Sequence, residues 1–146
     1  IFSIYEGTTQ LQVVAAVRYI TNGTYLNIIK EMLLNDVADE LRPLKERVAK
    51  MVDLYAEAVE KVKASDNQAE HDFLARRLYN MTGDIIMSLL ILTDATKAPE
   101  LFAKSAQVYV RAAEEEVVGH AAYVMAFNDD DLKNFVAEET NDEAEA

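Results

Sequence analysis

Hydrophobic residues recur every three or four positions along most of the chain, which is the spacing of one face of an α-helix. Four long segments show this pattern, and they extend over Thr8–Ile20, Val37–Ala64, Gln68–Thr96 and Pro99–Phe127. The links between the last three segments are short, so consecutive helices are expected to run antiparallel. The pattern therefore predicts an all-α fold, an up-down antiparallel four-helix bundle.

The expected helix ends coincide with residues that cap or stop helices. Asn22-Gly23 follows the first segment, Ser65-Asp66-Asn67 separates the second from the third, and Pro99 suits the first turn of the fourth. Gly83 lies inside the third segment, where glycine costs about 1 kcal/mol relative to alanine. Close packing of a neighbouring helix against Gly83 would explain this glycine.

Two stretches depart from the simple amphipathic pattern. Residues 85–92 of the third segment are apolar on nearly every side, which indicates either a central helix or a subunit contact. Residues 24–36 are too short for periodicity to separate helix from strand. We expect them to form an irregular segment with a short strand pair after the first helix.

The composition narrows the possible functions. The chain of 146 residues holds 26 acidic and 14 basic residues and no cysteine. Its formal net charge of −12 argues against nucleic acid as a partner, and no apolar run is long enough for a membrane span. Residues 128–146 carry eight acidic side chains and one basic one and are expected to form an acidic C-terminal tail. Phe135 and Val136 could dock a short helix of this tail.

A carboxylate-bridged metal pair in a helical bundle needs Glu-x-x-His motifs, which place both ligands inward. Gln68 precedes His71 by three residues, and Val117 precedes His120 by three, so both histidines fail the motif. No metal site is therefore expected. We expect His71 to be solvated and His120 to be a satisfied or surface histidine of the last helix.

The segment before the first helix has an unusual order of side chains. Glu6 is followed directly by Gly7, which permits close approach of a ligand, and then by Thr8 at the expected helix start. Free N–H groups at a helix start can hold an anion or a carbonyl oxygen. From the residues alone, a simple helix cap with Thr8 as the N-cap residue explains the segment equally well.

This segment resembles the C-terminal signature of the acyl-CoA dehydrogenases. That signature is Tyr-Glu-Gly-Thr, any residue, Gln, an aliphatic residue and Gln, and the match runs over nine positions, Ile4–Gln12. Many relatives carry a basic residue directly after the second Gln, where this chain has Val13. In the family, the signature lies on a late helix of the C-terminal four-helix bundle of an FAD-dependent enzyme.

The resemblance implies specific roles for five residues. Glu6 would be the catalytic base that removes the α-proton of a fatty acyl-CoA, giving a trans-2-enoyl-CoA. Tyr5 and Gly7 would line the substrate, and Thr8 and Gln10 would contact FAD. The resemblance also implies an electron-transferring flavoprotein as electron acceptor.

The chain continues far beyond the signature. In this respect it is similar to the subset of the family with an added C-terminal helical domain of the acetyl-CoA dehydrogenase C-terminal-like kind. The very-long-chain type also has an extension, which acts at membranes. That type is less similar, because this chain is acidic and lacks a basic amphipathic face. The expected division is residues 1–23 as the end of the catalytic bundle, 24–127 as the added domain and 128–146 as the tail.

The chain begins with Ile1 and shows no targeting segment, so we expect it to be a piece of a longer protein. We expect that protein to be a cytoplasmic, homo-oligomeric enzyme. By itself the piece is expected to bind no FAD and to be inactive, because the remaining FAD and CoA contacts would come from other segments. The alternative is a non-enzymatic helical module for oligomerisation or partner docking.

Overall fold

The computed structural model of the protein describes residues 9–134, and side chains from residue 11 onward. In this range the chain is almost entirely helical and contains no strand, which confirms the all-α prediction. The helices are α1 (Thr9–Thr21), α2 (Thr24–Leu33), α3 (Arg42–Ala64), α4 (Gln68–Lys97), α5 (Pro99–Ala126) and α6 (Asp129–Lys133), with a 3-10 turn at Asp39–Leu41 before α3.

The core lies between the three longest helices. Three residues separate α3 from α4 and only Ala98 separates α4 from α5, so these helices form two consecutive antiparallel hairpins. α4 packs against α1, α3 and α5, and α5 packs also against α3. The main buried side chains are Val48, Met51, Tyr55, Val59 and Val62 of α3, Leu74, Leu78, Met81, Ile85 and Leu92 of α4, and Val110, Val117 and Val124 of α5.

The buried polar groups of α4 are satisfied locally. The Thr82 hydroxyl lies 2.8 Å from the carbonyl oxygen of Leu78, one turn earlier in the same helix, and the Ser88 hydroxyl donates to the carbonyl of Asp84 at 2.7 Å. Thr82 is also hydrogen-bonded to the hydroxyl of the fully buried Tyr55 at 2.9 Å, which links α3 to α4. These short-range bonds allow an apolar central helix to bury hydroxyls without cost in lost hydrogen bonds.

The expected strand pair within residues 24–36 is wrong, because residues 24–33 form α2. Ile29 is buried, and its partly buried neighbours on the core side recur at helical spacing: Tyr25, Leu26, Met32 and Leu33. α2 starts where Gly23, with φ of 87°, reverses the chain. The Asn22 side-chain oxygen then accepts hydrogen bonds from the backbone N–H and the hydroxyl of Thr24 at 2.9 and 2.7 Å.

The predicted starts of the third and fourth helices agree with the structure. Asn67 caps α4 by accepting a hydrogen bond from the N–H of Ala69 at 3.0 Å, and Pro99 opens α5. The second predicted helix begins later than expected, since the 3-10 turn precedes Arg42. Among helices within residues 9–134, none combines the length and apolar character that crossing a membrane requires.

The structure tests two further expectations, the close packing around Gly83 and the short helix of the tail. A methyl group at Gly83 would meet nothing within 4 Å, so close packing of a neighbouring helix in this chain does not explain that glycine. α6 is the short helix expected near the start of the tail, and its Leu132 is buried. Phe135 and Val136 lie outside the described residues, as does Thr8 with its expected capping role.

Candidate functional site

The signature segment lies at the start of α1. Tyr5, Glu6, Gly7 and Thr8 fall outside the described residues, and Gln10 lies in the first turn of α1. The structure therefore does not describe how these five predicted site residues are arranged relative to one another. What it does describe is α1, which contains Gln10 and follows the other four residues in the sequence.

α1 is held in place by one apolar face. Val13, Val17 and Ile20 are buried, and the helix packs against α4. The opposite face leaves Leu11 67% exposed and Tyr19 52% exposed. The first turn of α1, which includes Gln10, directly follows Thr8 in the sequence.

A second cluster of chemically capable side chains lies along an open groove between α4 and α5. The groove has a volume of about 440 Å³. The Tyr109 hydroxyl donates to Asp84 Oδ1 at 3.5 Å, and Glu116 Oε2 lies 3.9 Å from His120 Nε2. The lining side chains come from both helices: Tyr79, Asn80, Asp84, Met87, Tyr109, Glu116 and His120, with Gly83 at the rim.

Arg77 fixes the state of His120. Its Nη1 atom lies 3.3 Å from His120 Nδ1, and its guanidinium carbon lies 3.4 Å from the centroid of the Tyr123 ring. Because an arginine can only donate, Nδ1 must accept, and the hydrogen of the neutral ring is then on Nε2. The Nε2 hydrogen then faces the Glu116 carboxylate at 3.9 Å, and the 3.5 Å contact between Nε2 and Asn80 Nδ2 is not a hydrogen bond in this tautomer, because both nitrogens carry hydrogen. His120 is thus the satisfied histidine that the sequence suggested.

Burial shifts the pKa values of this cluster. It lowers the pKa of His120, and the neighbouring Arg77 charge lowers it further, while Glu116 and Asp84 oppose the shift. Burial also raises the pKa of the Asp84 carboxyl, and repulsion from Glu116 adds to this. The pKa of Tyr109 is raised by burial and by the adjacent Asp84. The groove therefore holds a neutral imidazole beside two carboxylates that repel each other.

The cluster does not form a metal site. Within residues 9–134, no three His, Cys, Asp or Glu side chains are grouped to hold a metal ion. The polar groups contact one another across two helices and line an open groove. The arrangement is suited to hydrogen bonding and charge pairing at a surface.

His71, the other histidine, does not belong to this cluster. Its Nε2 atom lies 2.7 Å from the carbonyl oxygen of Ser65, and the Ser65 hydroxyl donates to the buried Glu70 carboxylate at 2.7 Å. His71 therefore stabilises the α3–α4 link, and the expectation of a simply solvated residue is wrong.

The sequence interpretation missed the Asp84–Tyr109 and Arg77–His120 pairs. A signal exists for the Arg77–His120 pair, because residues at similar distances from the turn of an antiparallel helical hairpin face each other. With the turn at Ala98, Arg77 lies 21 residues before it and His120 lies 22 residues after it.

Comparison with known proteins shows which family this chain belongs to. The family model described as "Acyl-CoA dehydrogenase C terminal" matches residues 21–132. The chain belongs to this family. No curated protein matches the sequence.

A solved structure of a family relative supports the same assignment. The crystal structure of the acyl-CoA dehydrogenase family protein from Porphyromonas gingivalis is 36% identical to this chain, with a TM-score of 0.72. The similarity covers 78% of this chain and 98% of that one. The acyl-CoA dehydrogenase C-terminal family thus accounts for α2 to α5, and the similarity to the dehydrogenases suggested by residues 4–12 is confirmed at the level of the family.

Proposed function

We propose that the chain is the C-terminal part of an FAD-dependent acyl-CoA dehydrogenase, which converts a fatty acyl-CoA to the trans-2-enoyl-CoA. The observation that carries the proposal is the coincidence of two independent features. A Tyr-Glu-Gly-Thr signature stands directly before α1, and an acyl-CoA dehydrogenase C-terminal domain follows from residue 21. In this proposal residues 1–23 end the catalytic bundle, residues 24–127 form the added domain and residues 128–146 form the tail.

Glu6 is the proposed catalytic base. Its carboxylate takes the α-proton of the substrate, and its backbone N–H binds the thioester carbonyl oxygen, which makes the α-proton more acidic. Tyr5 and Gly7 line the substrate. A desolvated site would raise the pKa of Glu6, whereas the nearby N-terminus of α1 would lower it.

Thr8 and Gln10 are the proposed FAD contacts. A hydroxyl and an amide are neutral hydrogen-bonding groups, and together with the free N–H groups at the start of α1 they suit the hydrogen-bonding edges of a flavin nucleotide. Bound FAD would accept the hydride lost from the β-carbon. An electron-transferring flavoprotein is the proposed acceptor, and a cytoplasmic location stays a prediction.

The packing of α1 is compatible with a role at a domain boundary. Val13 and Val17 bury one face of the helix against α4, while Leu11 and Tyr19 leave apolar surface on the other. In the complete enzyme this second face would pack against the catalytic bundle. α1 would then tie the signature to the added domain.

The test uses the full-length enzyme with Glu6→Gln, which keeps the shape of the side chain and removes the base. A panel of acyl-CoA substrates is added anaerobically, and the loss of flavin absorbance is followed. We expect the variant to retain its flavin and to bleach at least about 100-fold more slowly than the wild type. Glu57→Gln, an exposed carboxylate on α3, is the matched control and should bleach normally. Equal bleaching of wild type and Glu6→Gln would refute the role of Glu6.

A second candidate function is supported by a different observation. Several large apolar side chains of α4 and α5 are exposed, among them Met87, Leu90, Leu101 and Val108. Such a surface suits a helical oligomerisation or docking module. This function is compatible with the first, since a homo-oligomeric dehydrogenase can use its added domain for assembly.

A further inference from the structure

Asn22 differs from every other asparagine of the chain because glycine follows it directly. The backbone nitrogen of a residue can attack the side-chain amide of the residue before it, and a side chain on the attacking residue obstructs that approach. Gly23 has no side chain, and its backbone turns freely. Asn22 is exposed at the reversal between α1 and α2, and a Cβ at Gly23 would meet nothing within 4 Å. The site therefore has room for the ring that such an attack closes.

Two hydrogen-bond donors already point at the side-chain oxygen of Asn22. The backbone nitrogen of Thr24 lies 2.9 Å from Oδ1, and the Thr24 hydroxyl oxygen lies 2.7 Å from it. When a nucleophile adds to Cγ, negative charge develops on Oδ1, and donors held at these distances stabilise such charge. The hydrogen bonds that start α2 thus also activate the Asn22 amide towards attack.

One hydrogen bond opposes the reaction. The N–H of Gly23 donates to the carbonyl oxygen of Ile20 at 3.2 Å, and an attack by this nitrogen requires the loss of that bond. Its length is at the upper end of the range for N–H···O hydrogen bonds, whereas both bonds to Asn22 Oδ1 are close to the commonest lengths. The bonds that favour the reaction are therefore shorter than the bond that opposes it.

We propose that Asn22 is a site of spontaneous deamidation, at which the two Thr24 donors stabilise the charge that develops on Oδ1. The Gly23 nitrogen forms a bond to Cγ and loses its proton, and Nδ2 takes up a proton and leaves as ammonia. Water then opens the resulting imide ring. Opening at Cγ leaves aspartate in place of Asn22, and opening at the backbone carbonyl leaves an isoaspartyl residue. Water is the only co-reactant, and no oxidant or reductant is consumed.

The two products have different consequences for the start of α2. Aspartate keeps an acceptor for Thr24 and adds negative charge at a helix N-terminus, where it is favourable. In the isoaspartyl product the main chain passes through Cβ and Cγ, so the reversal at Gly23 gains a backbone atom and the acceptor for Thr24 is displaced. Only this product should disturb the packing of α1 against α2. The proposal does not rest on the dehydrogenase chemistry, and its tests do not involve flavin.

The first test is peptide mass spectrometry of the folded 146-residue chain during incubation at pH 8. Trypsin releases residues 19–30, which contain both Asn22 and Asn27, so the two side chains are compared within one peptide. The Asn22 amide should be lost at least about ten-fold faster than that of the exposed Asn35, because Asn35 is followed by a residue with a side chain. An Asn22 amide as durable as that of Asn35 would overturn the proposal, since the bond to Ile20 would then prevent the attack.

The second test measures the contribution of Thr24. Thr24→Val removes the hydroxyl and keeps the shape, and Thr24→Ser keeps the hydroxyl as the matched control. In the folded chain, Thr24→Val should slow the deamidation of Asn22 several-fold, which is less than the roughly 100-fold cost of losing one such donor in a closed active site. Thr24→Ser should react like the wild type, and circular dichroism would check that both variants fold.

Unfolding the chain in urea separates this effect from the local sequence. The Thr24 donors are then no longer held at Asn22 Oδ1, so the wild type and both variants should react at the same rate. Equal rates for folded wild type and folded Thr24→Val would overturn the role of Thr24. The same slowing of Thr24→Val in urea would also overturn it, because the effect would then not depend on the fold.

Discussion

Tyr55 is the largest fully buried side chain, and its hydroxyl reaches only one polar partner, Thr82, within the described core. Burial raises the pKa of Tyr55 to about 12, from an ordinary value of 10.0. The phenol is therefore kept protonated in the folded state at a pH where the unfolded chain has begun to lose its proton. Tyr55 therefore makes the stability of the core depend on pH in the alkaline range.

We expect Tyr55→Phe to lower the free energy of unfolding at pH 7 by about 1 kcal/mol, the usual net value of a buried hydrogen bond. Thr82 keeps its bond to the carbonyl of Leu78, which limits the loss. The wild type should also lose stability as pH rises from 10 towards 12, since the folded state there holds the proton more tightly. Urea titrations at pH 7, 10 and 11 would measure both effects, and Tyr79→Phe, a change at an exposed phenol, is the control. A Tyr55→Phe variant with the same alkaline loss as wild type would contradict the assignment.

His120 should make the free energy of unfolding depend on pH in the acidic range, where stability is lost as the pH falls. Its pKa is lowered in the folded state, so the unfolded chain binds the proton first as pH falls below 6.5, and stability decreases. His120→Gln cannot take up that proton, so its stability should fall less between pH 6.5 and 5. Thermal unfolding at several pH values in this window would show the difference. The explanation fails if both proteins lose stability in parallel.

At the scale of elements, the long helices were predictable because each presents an apolar face over many turns. α2 was not recognised, although Tyr25, Leu26, Ile29, Met32 and Leu33 carry the same spacing. Ten residues are too few for this spacing to identify a helix. The chain reversal at Gly23 and the hydrogen bonds from Thr24 to the Asn22 side chain set the start of α2. Local turn chemistry, rather than periodicity, determines that this segment is helical.

The candidate site was less predictable than the fold. The signature is readable because its residues are consecutive, whereas Asp84 and Tyr109 are 25 positions apart and meet only through the α4–α5 hairpin. Pairing across helices depends on their register, which a hydrophobic pattern defines only to within about a turn. For the same reason the repulsion between Asp84 and Glu116 could not be inferred from the sequence.

Replacing two glycines by alanine should change the free energy of unfolding in opposite directions. Gly23→Ala should destabilise the protein by about 1 kcal/mol, because a φ of 87° is strained for alanine. Gly83→Ala should stabilise it by up to about 1 kcal/mol, because the site is helical, exposed and open. Chemical denaturation of both variants at pH 7 would give the two values. Effects of the same sign would refute the interpretation of these backbones.

At the scale of the whole molecule, α1 follows residues 5–8 in the sequence and packs against helices that carry the family match. If Thr8 and Gln10 supply only part of the FAD contacts, the chain of 146 residues should neither retain FAD nor oxidise acyl-CoA with an artificial electron acceptor. Gel filtration after incubation with FAD, followed by absorbance at the flavin bands, would check the first point. Turnover by this chain alone would show that its residues form a complete active site.

The short links of the α3–α4–α5 unit also affect how quickly the chain reaches its fold. Three residues and then a single Ala98 connect these helices, so their main contacts join neighbours along the chain. Little loop-closure entropy must be lost before such contacts form, and helical bundles of this kind fold in microseconds to milliseconds. The unit can therefore collapse soon after its last helix is synthesised, which limits the time for which the apolar middle of α4 is exposed to other unfolded chains.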